Sequence, residues 1–585
     1  MTTSIFRRPK TMAPAGSAPT VRGVTNTEGT DELAAPLDLL LTNSAVGVTE
    51  RMMPNVSWSR FALNLARQPR TLRSRARSLL RELVSIAEGH SEIEPAKGDK
   101  RFNDAAWQGN PLLKRSTQAY LATVKTVDEL FADANLDWRD AERIRFVLDG
   151  ITEALAPSNN PLLSPLGWKA LIDTGGLSAV RGLRHFVGDM MSAPRVPSMV
   201  DPEAFTLGED IATTEGSVVF RSEVFELIQY TPLTEKVSSV PLLMVPPVIN
   251  KFYIMDIAPG RSMVEYFLRQ GLQVFAISWR NPTAEHRNWG FDTYGQAIVD
   301  ALEVVEKITQ SARTHVQGSC SGGILAAMTA AHLAATGQGD RLASLTLMVT
   351  VLDQRKAGFA AAAIDEHAAN IAVGLSARKG YMDGRSLAEV FAWLRPTDLV
   401  WRYWVNNYIQ GKSPAAFDVL FWNADTTRMA AALHRDLVML SLHNALATSG
   451  AVTMLGTPVD LHELTVDTYV VAGISDHISP WQACYRSARL LGSNDLRFVL
   501  SSSGHIAALV NPPGNPKASY RVGVVDDTDP AAWAQEADRH ADSWWPDYVD
   551  WLGQRDHEVI AAPDTRGGSC MPPIEPAPGT YVLDK

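Results

Sequence analysis

The spacing of apolar residues divides the chain into a helical first part and a second part in which strands alternate with helices. Before residue 205, apolar residues recur at steps of three and four in "RSRARSLLRELVSIAEG", "STQAYLATVKTVDELFADAN" and "WRDAERIRFVLDGITEAL", as they do in amphipathic helices. We therefore predict a mainly helical N-terminal domain over residues 32–204. Residues 1–31 are rich in Thr, Ala, Gly and Pro without periodicity, which predicts a disordered tail.

Beyond residue 205 short apolar runs alternate with helical segments. The stretch "GSVVFRSEVFELIQY" alternates like two paired strands, whereas "PLLMVPPV", "LQVFAISW" and "THVQ" are short apolar runs typical of buried parallel strands. Between these runs, "GRSMVEYFLRQG" and "TYGQAIVDALEVVEKIT" have helical spacing. Strands that alternate with helices predict a parallel sheet with helices on its faces, and hence an α/β domain.

The alternation is interrupted after "LASLTLMVTVLD" and resumes with "DTYVVAGI", "WQACYRSARLLG" and "LRFVL". We predict an α/β domain over 205–560, a helical cap inserted at 354–435, and an irregular, Pro- and Gly-rich tail over 561–585. The aromatic residues of the insertion either line a channel that excludes water or, singly, fill an ordinary core. They include Trp393, Trp401, Trp404, Phe421 and Trp422.

The composition excludes several classes of function. Of 585 residues 45% are hydrophobic and 20% charged, as in an ordinary soluble globular protein, and the net charge of -10 does not suit a nucleic-acid binder. The three cysteines, Cys320, Cys484 and Cys570, are odd in number and far apart, which predicts a reducing compartment without disulfides. Neither a convincing export signal nor a run of ~18 apolar residues is present, so we expect a cytoplasmic protein.

A cluster of arginines in the helical part contrasts with the negative net charge. Its members are Arg60, Arg67, Arg70, Arg73, Arg75, Arg77 and Arg81. Such a run is either a solvated helix face or a surface for an anionic partner, and the sequence leaves both interpretations open.

The stretch "HVQGSCSGGILAAM" has the features of a nucleophile elbow. Gly318-Ser319-Cys320-Ser321-Gly322 has the G-x-nucleophile-x-G spacing, in which small residues flank a strained turn between a strand and a helix. The helix N-terminus that follows favours a thiolate on Cys320. A buried, inert cysteine also fits so short a pattern. The predicted strand before it and helix after it favour a nucleophile.

The acid and base that a cysteine nucleophile needs are predicted after the next two strands. Asp476 in "VVAGISDHISPW" follows one predicted strand, and His505 in "FVLSSSGHIAAL" follows the next. Both residues are therefore expected at the sheet edge where α/β proteins bind ligands. Nucleophile, acid and histidine in this order are typical of α/β hydrolases. His477 is the competing base, but it directly follows the acid and is poorly placed to bind it side chain to side chain. Asp476 also fits the N-cap of a helix.

The oxyanion hole is predicted in the loop "VPPVINKFYIMD", which follows the first strand of the parallel sheet. The amides of Val248 and Ile249 are the candidates there, and the amide of Ser321 is the second donor. Pro246 and Pro247 lack an N–H and are excluded.

These residues resemble those of the polyhydroxyalkanoate synthases. The motifs occur in the family's order between about residue 205 and residue 552: "PPVINKFYIMD", "ISWRNP", "GSCSGG", "WVNNYIQG", "FDVLFWNADTTRM", "GISDHISPW", "SSSGHIAALVNPPGNPK" and "HADSWW". The resemblance implies an α/β-hydrolase fold with an inserted helical cap, and a triad of Cys320, Asp476 and His505. The motif sequences are most similar to those of the class II, single-subunit synthases, which favour medium-chain monomers.

The resemblance implies polymerisation of (R)-3-hydroxyacyl-CoA into polyester, with release of CoA, through an acyl thioester on Cys320. CoA is part of the substrate, and no resident cofactor or metal is expected. The partners implied are the growing chain and granule surface, granule-coating proteins and a second copy in a homodimer, but no nucleic acid. Either His505 or Asp476 activates the acceptor hydroxyl, and Arg280 binds CoA phosphates or forms a salt bridge.

A different activity is compatible with the same triad. A thioesterase or polyester depolymerase would use these residues on the same fold but transfer the acyl group to water. A third possibility is a granule protein that retains the fold without catalysis.

Overall fold

The helical part of the chain precedes residue 205, as the apolar spacing predicts. The computed structural model describes residues 41, 56–191, 193–354, 362–394, 396–476, 478–526, 528–556 and 558–585, so the predicted tail over 1–31 lies outside the described residues. The helices of this part are α1 (Val56–Ala66), α2 (Pro69–Glu88), α3 (Ala106–Gly109), α4 (Pro111–Asp133), α5 (Trp138–Ala154), α6 (Pro165–Asp173) and α7 (Leu177–Met190).

Arginines of the predicted cluster divide between two roles. Arg60 pairs with Asp140 at 2.7 Å, and Arg75 pairs with Asp133 at 2.8 Å, so these two tie α1 to α5 and α2 to α4. The other members lie on the exposed side of α2 or next to it: Arg67, Arg70, Arg73, Arg77 and Arg81. The cluster is thus partly a set of interhelical ion pairs and partly a solvated face.

Strands and helices alternate in the second part. The strands are β1 (Gly216–Arg221), β2 (Phe225–Tyr230), β3 (Lys236–Ser238), β4 (Leu242–Val245), β5 (Val274–Trp279), β6 (Thr314–Ser319), β7 (Leu342–Met348), β8 (Tyr381–Met382), β9 (Met429–Ala430), β10 (Thr453–Met454), β11 (Thr457–Pro458), β12 (Thr468–Gly473), β13 (Leu496–Ser501), β14 (Ser519–Val524), β15 (Asp538–Ala541), β16 (Val559–Ala561) and β17 (Glu575–Pro576). The helices are α8 (Met263–Arg269), α9 (Phe291–Thr309), α10 (Ser321–Ala335), α11 (Ala362–Lys379), α12 (Gly384–Leu394), α13 (Asp418–Ala424), α14 (Ala431–Leu442), α15 (Trp481–Ala488), α16 (His505–Leu509), α17 (Pro530–Glu536) and α18 (Trp545–Gly553).

The main sheet has the order β15-β14-β13-β12-β7-β6-β4-β5-β2-β1-β17. Its centre, from β13 to β5, is parallel, and every residue of β4, β5, β6, β7 and β12 is buried. One apolar cluster contains residues of α9, α10 and α15, and another those of α8 and α18. Helices therefore cover both faces of the sheet, which confirms the predicted α/β class.

Antiparallel strands extend the parallel centre at both edges; the pairing of β1 with β2 was predicted from the sequence, whereas β14, β15 and β17 were not. β14 and β15 continue the sheet beyond β13, whereas β2, β1 and β17 continue it beyond β5.

The C-terminal stretch, expected to be irregular, has few regular elements but is fixed to the edge of the sheet formed by β1 and β2. The Glu226 carboxylate accepts hydrogen bonds from the amides of Thr580 and Tyr581 at 3.1 and 3.0 Å. The tail is therefore part of the packed structure.

Helical structure dominates the interval between β7 and β12, and the five aromatic residues named in the sequence analysis form two separate groups. Trp401 packs edge to face on Trp393 and Trp404, with ring centroids 6.0 and 5.6 Å apart, and Trp404 also contacts Phe186 of α7. This first group joins the insertion to the N-terminal helices. Phe421 and Trp422 belong instead to the apolar cluster that Cys320 contacts. In the part of the chain that the structure describes, no helix is long and apolar enough to cross a membrane.

Candidate active site

Cys320 occupies the turn between β6 and α10 in a strained conformation. Its φ is 50° and its ψ is -121°, in a region that residues with a side chain rarely adopt. The Cys320 N–H donates to the Met348 carbonyl at 2.8 Å, and its own carbonyl accepts from the Gly323 N–H at 3.0 Å. The next strand and the first turn of α10 thus fix the apex of the turn.

The three glycines of the elbow are required by close backbone contacts. A Cβ on Gly322 would lie 2.2 Å from the Pro246 carbonyl oxygen, and one on Gly318 would lie 2.6 Å from the Gly323 Cα. A Cβ on Gly323 would lie 2.0 Å from the Thr350 Oγ1. No larger residue fits without displacing the neighbouring strand or helix. The local structure is the predicted elbow.

Asp476 and His505 lie side by side, just beyond the ends of β12 and β13. The His505 Nδ1 is 2.7 Å from the Asp476 Oδ2, and the Asp476 side chain is fully buried. The other oxygen, Oδ1, accepts hydrogen bonds from the amides of Ile478 and Ser479 at 2.8 and 2.9 Å. Asp476 therefore closes the turn before α15 and orients the imidazole, but it is not the N-cap of that helix, which is Pro480. Its catalytic role stays a prediction. His477, the competing base, lies outside the described residues.

The pKa of His505 reflects the residues around it. Burial alone would lower the pKa of the imidazole, but the charge of Asp476, the hydrogen bond to it and the neighbouring Cys320 raise that pKa to about 10. The arrangement therefore favours an imidazolium beside the sulfur at neutral pH. An imidazolium of this kind stabilises a thiolate, the nucleophilic form of cysteine.

The candidate oxyanion residues lie against the elbow. Val248 and Ile249 are buried in the loop after β4, and Ser321 is the first residue of α10. The Val248 N–H donates to the Ser321 Oγ at 3.1 Å, so in this conformation that amide is already bonded. The Ser321 hydroxyl thereby joins the loop to the elbow. The role of the three amides in stabilising an oxyanion stays a prediction.

Other predicted residues have clear positions. The Arg280 guanidinium lies over the Tyr581 ring, 5.3 Å from its centroid, a contact that neither sequence-based interpretation of Arg280 anticipated. All three cysteines are among the described residues and form no disulfide, as expected. Sequence reasoning missed Lys251 and Asp425, whose side chains form a buried ion pair at 2.9 Å beside the candidate oxyanion loop.

Two family models match the chain. The N-terminal model of poly-beta-hydroxybutyrate polymerase (PhaC) matches residues 98–267, and the alpha/beta hydrolase fold matches residues 254–512. The second match and the topology of the sheet confirm the predicted α/β-hydrolase fold.

Curated proteins match over most of the chain. Poly(3-hydroxyalkanoate) polymerase 1 of Ectopseudomonas oleovorans is 45% identical over 504 residues, which are 86% of this chain and 90% of that protein. Poly(3-hydroxyalkanoate) polymerase subunit PhaC of Cupriavidus necator is 39% identical over 508 residues, 86% of each. Among solved structures, a hydrolase from Pseudomonas aeruginosa covers 50% of this chain and 92% of its own, at 17% identity and a TM-score of 0.30.

The close contact at Gly322 predicts a loss of stability on substitution. We expect Gly322→Ala to lower the free energy of unfolding by about 1–3 kcal/mol, because the new methyl group meets the Pro246 backbone, which cannot move freely. Gly188→Ala in α7 is the control, since nothing lies within 4 Å of its added Cβ. Thermal unfolding of both variants measures the difference. Equal midpoints for the two variants would contradict the packing argument.

The charge of Asp476 predicts how the reactivity of Cys320 depends on pH. In Asp476→Asn the pKa of His505 falls, because the carboxylate that raises it is lost while the amide oxygen can still cap the turn. Between pH 7 and pH 9 the alkylation rate of Cys320 by iodoacetamide should then be lower than in the parent protein, because less imidazolium remains to stabilise the nucleophilic form of the sulfur. A Cys570→Ser background removes the exposed thiol. Identical profiles would refute the proposed ion pair.

Proposed function

The chain belongs to the poly(3-hydroxyalkanoate) polymerase family, and we propose that it polymerises (R)-3-hydroxyacyl-CoA into polyhydroxyalkanoate with release of CoA. The observation that carries the proposal is the elbow cysteine next to a buried Asp476–His505 pair, in a chain that matches these polymerases over 86% of its length. The chemistry needs no resident cofactor, because CoA enters with the acyl group and leaves without it.

The first half of the reaction transfers the acyl group to the enzyme. The Cys320 thiolate attacks the thioester carbonyl, and the charge that develops on oxygen is stabilised by the Ser321 amide at the start of α10 and by the Ile249 amide, since the Val248 N–H is bonded to the Ser321 Oγ. When the tetrahedral intermediate collapses, the bond to the CoA sulfur breaks. The His505 imidazolium gives its proton to that sulfur, so CoA leaves as a thiol.

The second half transfers the acyl group to a hydroxyl. Neutral His505 takes the proton of a 3-hydroxyl on a monomer or chain end, whose oxygen attacks the thioester on Cys320. A new ester forms, and Cys320 is released as a thiolate beside the imidazolium. The contacts of Asp476 favour His505 over Asp476 as this base, because both carboxylate oxygens already accept hydrogen bonds and the side chain is fully buried.

Sulfur at the apex suits polymerisation. Exchange of one thioester for another is nearly balanced in energy, so the acyl group on Cys320 stays activated for transfer to a hydroxyl. Phe421 and Trp422 of the insertion share an apolar cluster with Cys320, which supports the exclusion of water and the binding of an alkyl chain at this point.

The alternatives, a thioesterase or depolymerase, use the same triad, but the relatives above are named polymerases.

The substrate and cellular setting are finer proposals. A class II-like, single-subunit enzyme with medium-chain monomers is supported by the motif sequences and by the 45% identity to the polymerase of Ectopseudomonas oleovorans. We also propose that the enzyme acts as a homodimer in the cytoplasm at the surface of polyester granules, together with granule-coating proteins. These settings are what the resemblance to the polyhydroxyalkanoate synthases implies.

The decisive test is the fate of the acyl group. Purified protein is incubated with 3-hydroxybutyryl-CoA or 3-hydroxyoctanoyl-CoA, and free CoA, insoluble polymer and free acid are measured. We expect CoA and polymer units in equal amounts, with the longer monomer preferred. We expect Cys320→Ser to lower polymerisation by at least about 10³-fold, because a serine ester is a poorer acyl donor.

Cys570→Ser is the matched control and should retain full polymerisation, since this thiol is exposed outside the site. Quantitative free acid without polymer would establish a hydrolase instead. Full CoA release by Cys320→Ala would show that the elbow cysteine does not catalyse the reaction.

A further inference from the structure

A buried lysine lies in the loop that carries the candidate oxyanion amides. Lys251 follows Val248 by three residues, and its side chain is 3% exposed. Its Nζ lies 2.9 Å from the Asp425 Oδ1 and donates to the Val582 carbonyl at 2.6 Å. One ammonium group therefore joins the loop after β4, the insertion between β7 and β12, and the C-terminal tail.

The backbone of the same loop is held from two sides. On the side of the elbow, the Val248 N–H donates to the Ser321 Oγ at 3.1 Å. On the side of the insertion, the Ile249 carbonyl accepts from the Thr427 Oγ1 at 2.5 Å, and the Lys251 carbonyl accepts from the Trp422 Nε1 at 2.7 Å. The amides near the thiol thus depend for their position on residues far away along the chain.

Stability alone does not account for a charged pair at this place. Burial lowers the pKa of Lys251, and the neighbouring Asp425 carboxylate counteracts this effect. Tyr253 also donates to Asp425, at 3.0 Å, so the carboxylate has two partners. Apolar residues of similar volume are often as stabilising as a buried ion pair, because the pair must lose its hydration. The ion pair instead fixes the position of the loop after β4 relative to the insertion.

We infer that Lys251 is a positioning residue, which with Asp425 and the Val582 carbonyl fixes the Ile249 amide where the substrate thioester oxygen gains negative charge. The inference rests on the proposed function. Its physical basis is that oxyanion stabilisation requires donors already in place, and a displacement of about 1 Å lowers the rate by about 10²-fold. The contacts of the Lys251 ammonium are with Asp425 and the Val582 carbonyl, so its effect on the reaction is indirect.

The test replaces the charged pair without leaving one charge unpaired. In Lys251→Met/Asp425→Asn, the Asn oxygen can still accept from Tyr253, and no buried charge remains. We expect kcat for CoA release to fall about 10- to 100-fold while KM changes less than about threefold, because the lost interaction acts mainly in the transition state. The alkylation rate of Cys320 should stay within about twofold of the parent value.

The matched control makes the same substitutions in an exposed pair. Lys379 lies 2.9 Å from Asp383 on the surface, with side chains 47% and 36% exposed. Lys379→Met/Asp383→Asn should leave kcat, KM and the midpoint of unfolding unchanged. The selective loss of kcat in the buried variant, with thiol reactivity and the unfolding midpoint retained, would support the inference.

Two results would overturn the inference. An unchanged kcat in the buried variant would show that the loop needs no such restraint. A parallel fall of kcat, thiol reactivity and the unfolding midpoint would assign Lys251 a purely structural role. A parent protein that yields only free acid would refute the proposed polymerase. The kcat of acid formation would then still test Lys251, because hydrolysis passes through the same oxyanion.

Discussion

The backbone conformation of Cys320 is the constraint on which the rest of the site depends. A residue with a side chain at φ 50° costs about 1–3 kcal/mol, so the surrounding structure must stabilise it. The bond from its N–H to Met348 does so, together with contacts at Gly318, Gly322 and Gly323 that leave no space for a Cβ. The thiol is therefore fixed at the edge of the sheet where β12 and β13 also end.

A single carboxylate connects the fold to the chemistry at that edge. The Asp476 Oδ1 satisfies two amides of the turn before α15, and Oδ2 binds the imidazole of His505. Because the turn holds the carboxylate, the direction of the imidazole is set by backbone structure and not by side-chain packing alone. The Asp476 carboxylate thus sets both the orientation of the His505 ring and its raised pKa.

The elbow and the predicted triad could be located from the sequence, because this fold places such residues after particular strands and in a constant order along the chain. The spacing of Gly318, Cys320 and Gly322 is typical of a strand–turn–helix elbow, although the contact that requires Gly322 is with the Pro246 backbone, and the order of Asp476 and His505 follows from strand succession. The contacts of Lys251 could not be predicted: its partners lie at positions 425 and 582, and no periodicity links single residues over such distances. The two-residue strand β17 likewise has no pattern of its own.

In the proposed reaction one histidine acts first as an acid and then as a base, and the contacts of His505 account for both roles. Burial lowers its pKa, but the charge of Asp476 and the hydrogen bond to it, with a contribution from Cys320, raise that pKa to about 10, so the imidazolium is the favoured form at neutral pH. Transfer of this proton to the departing CoA sulfur leaves a neutral imidazole that Asp476 still orients, and this imidazole takes the proton of the acceptor hydroxyl. When the new ester leaves, the proton stays on His505 beside the released sulfur, so each addition restores the charge distribution that begins the next.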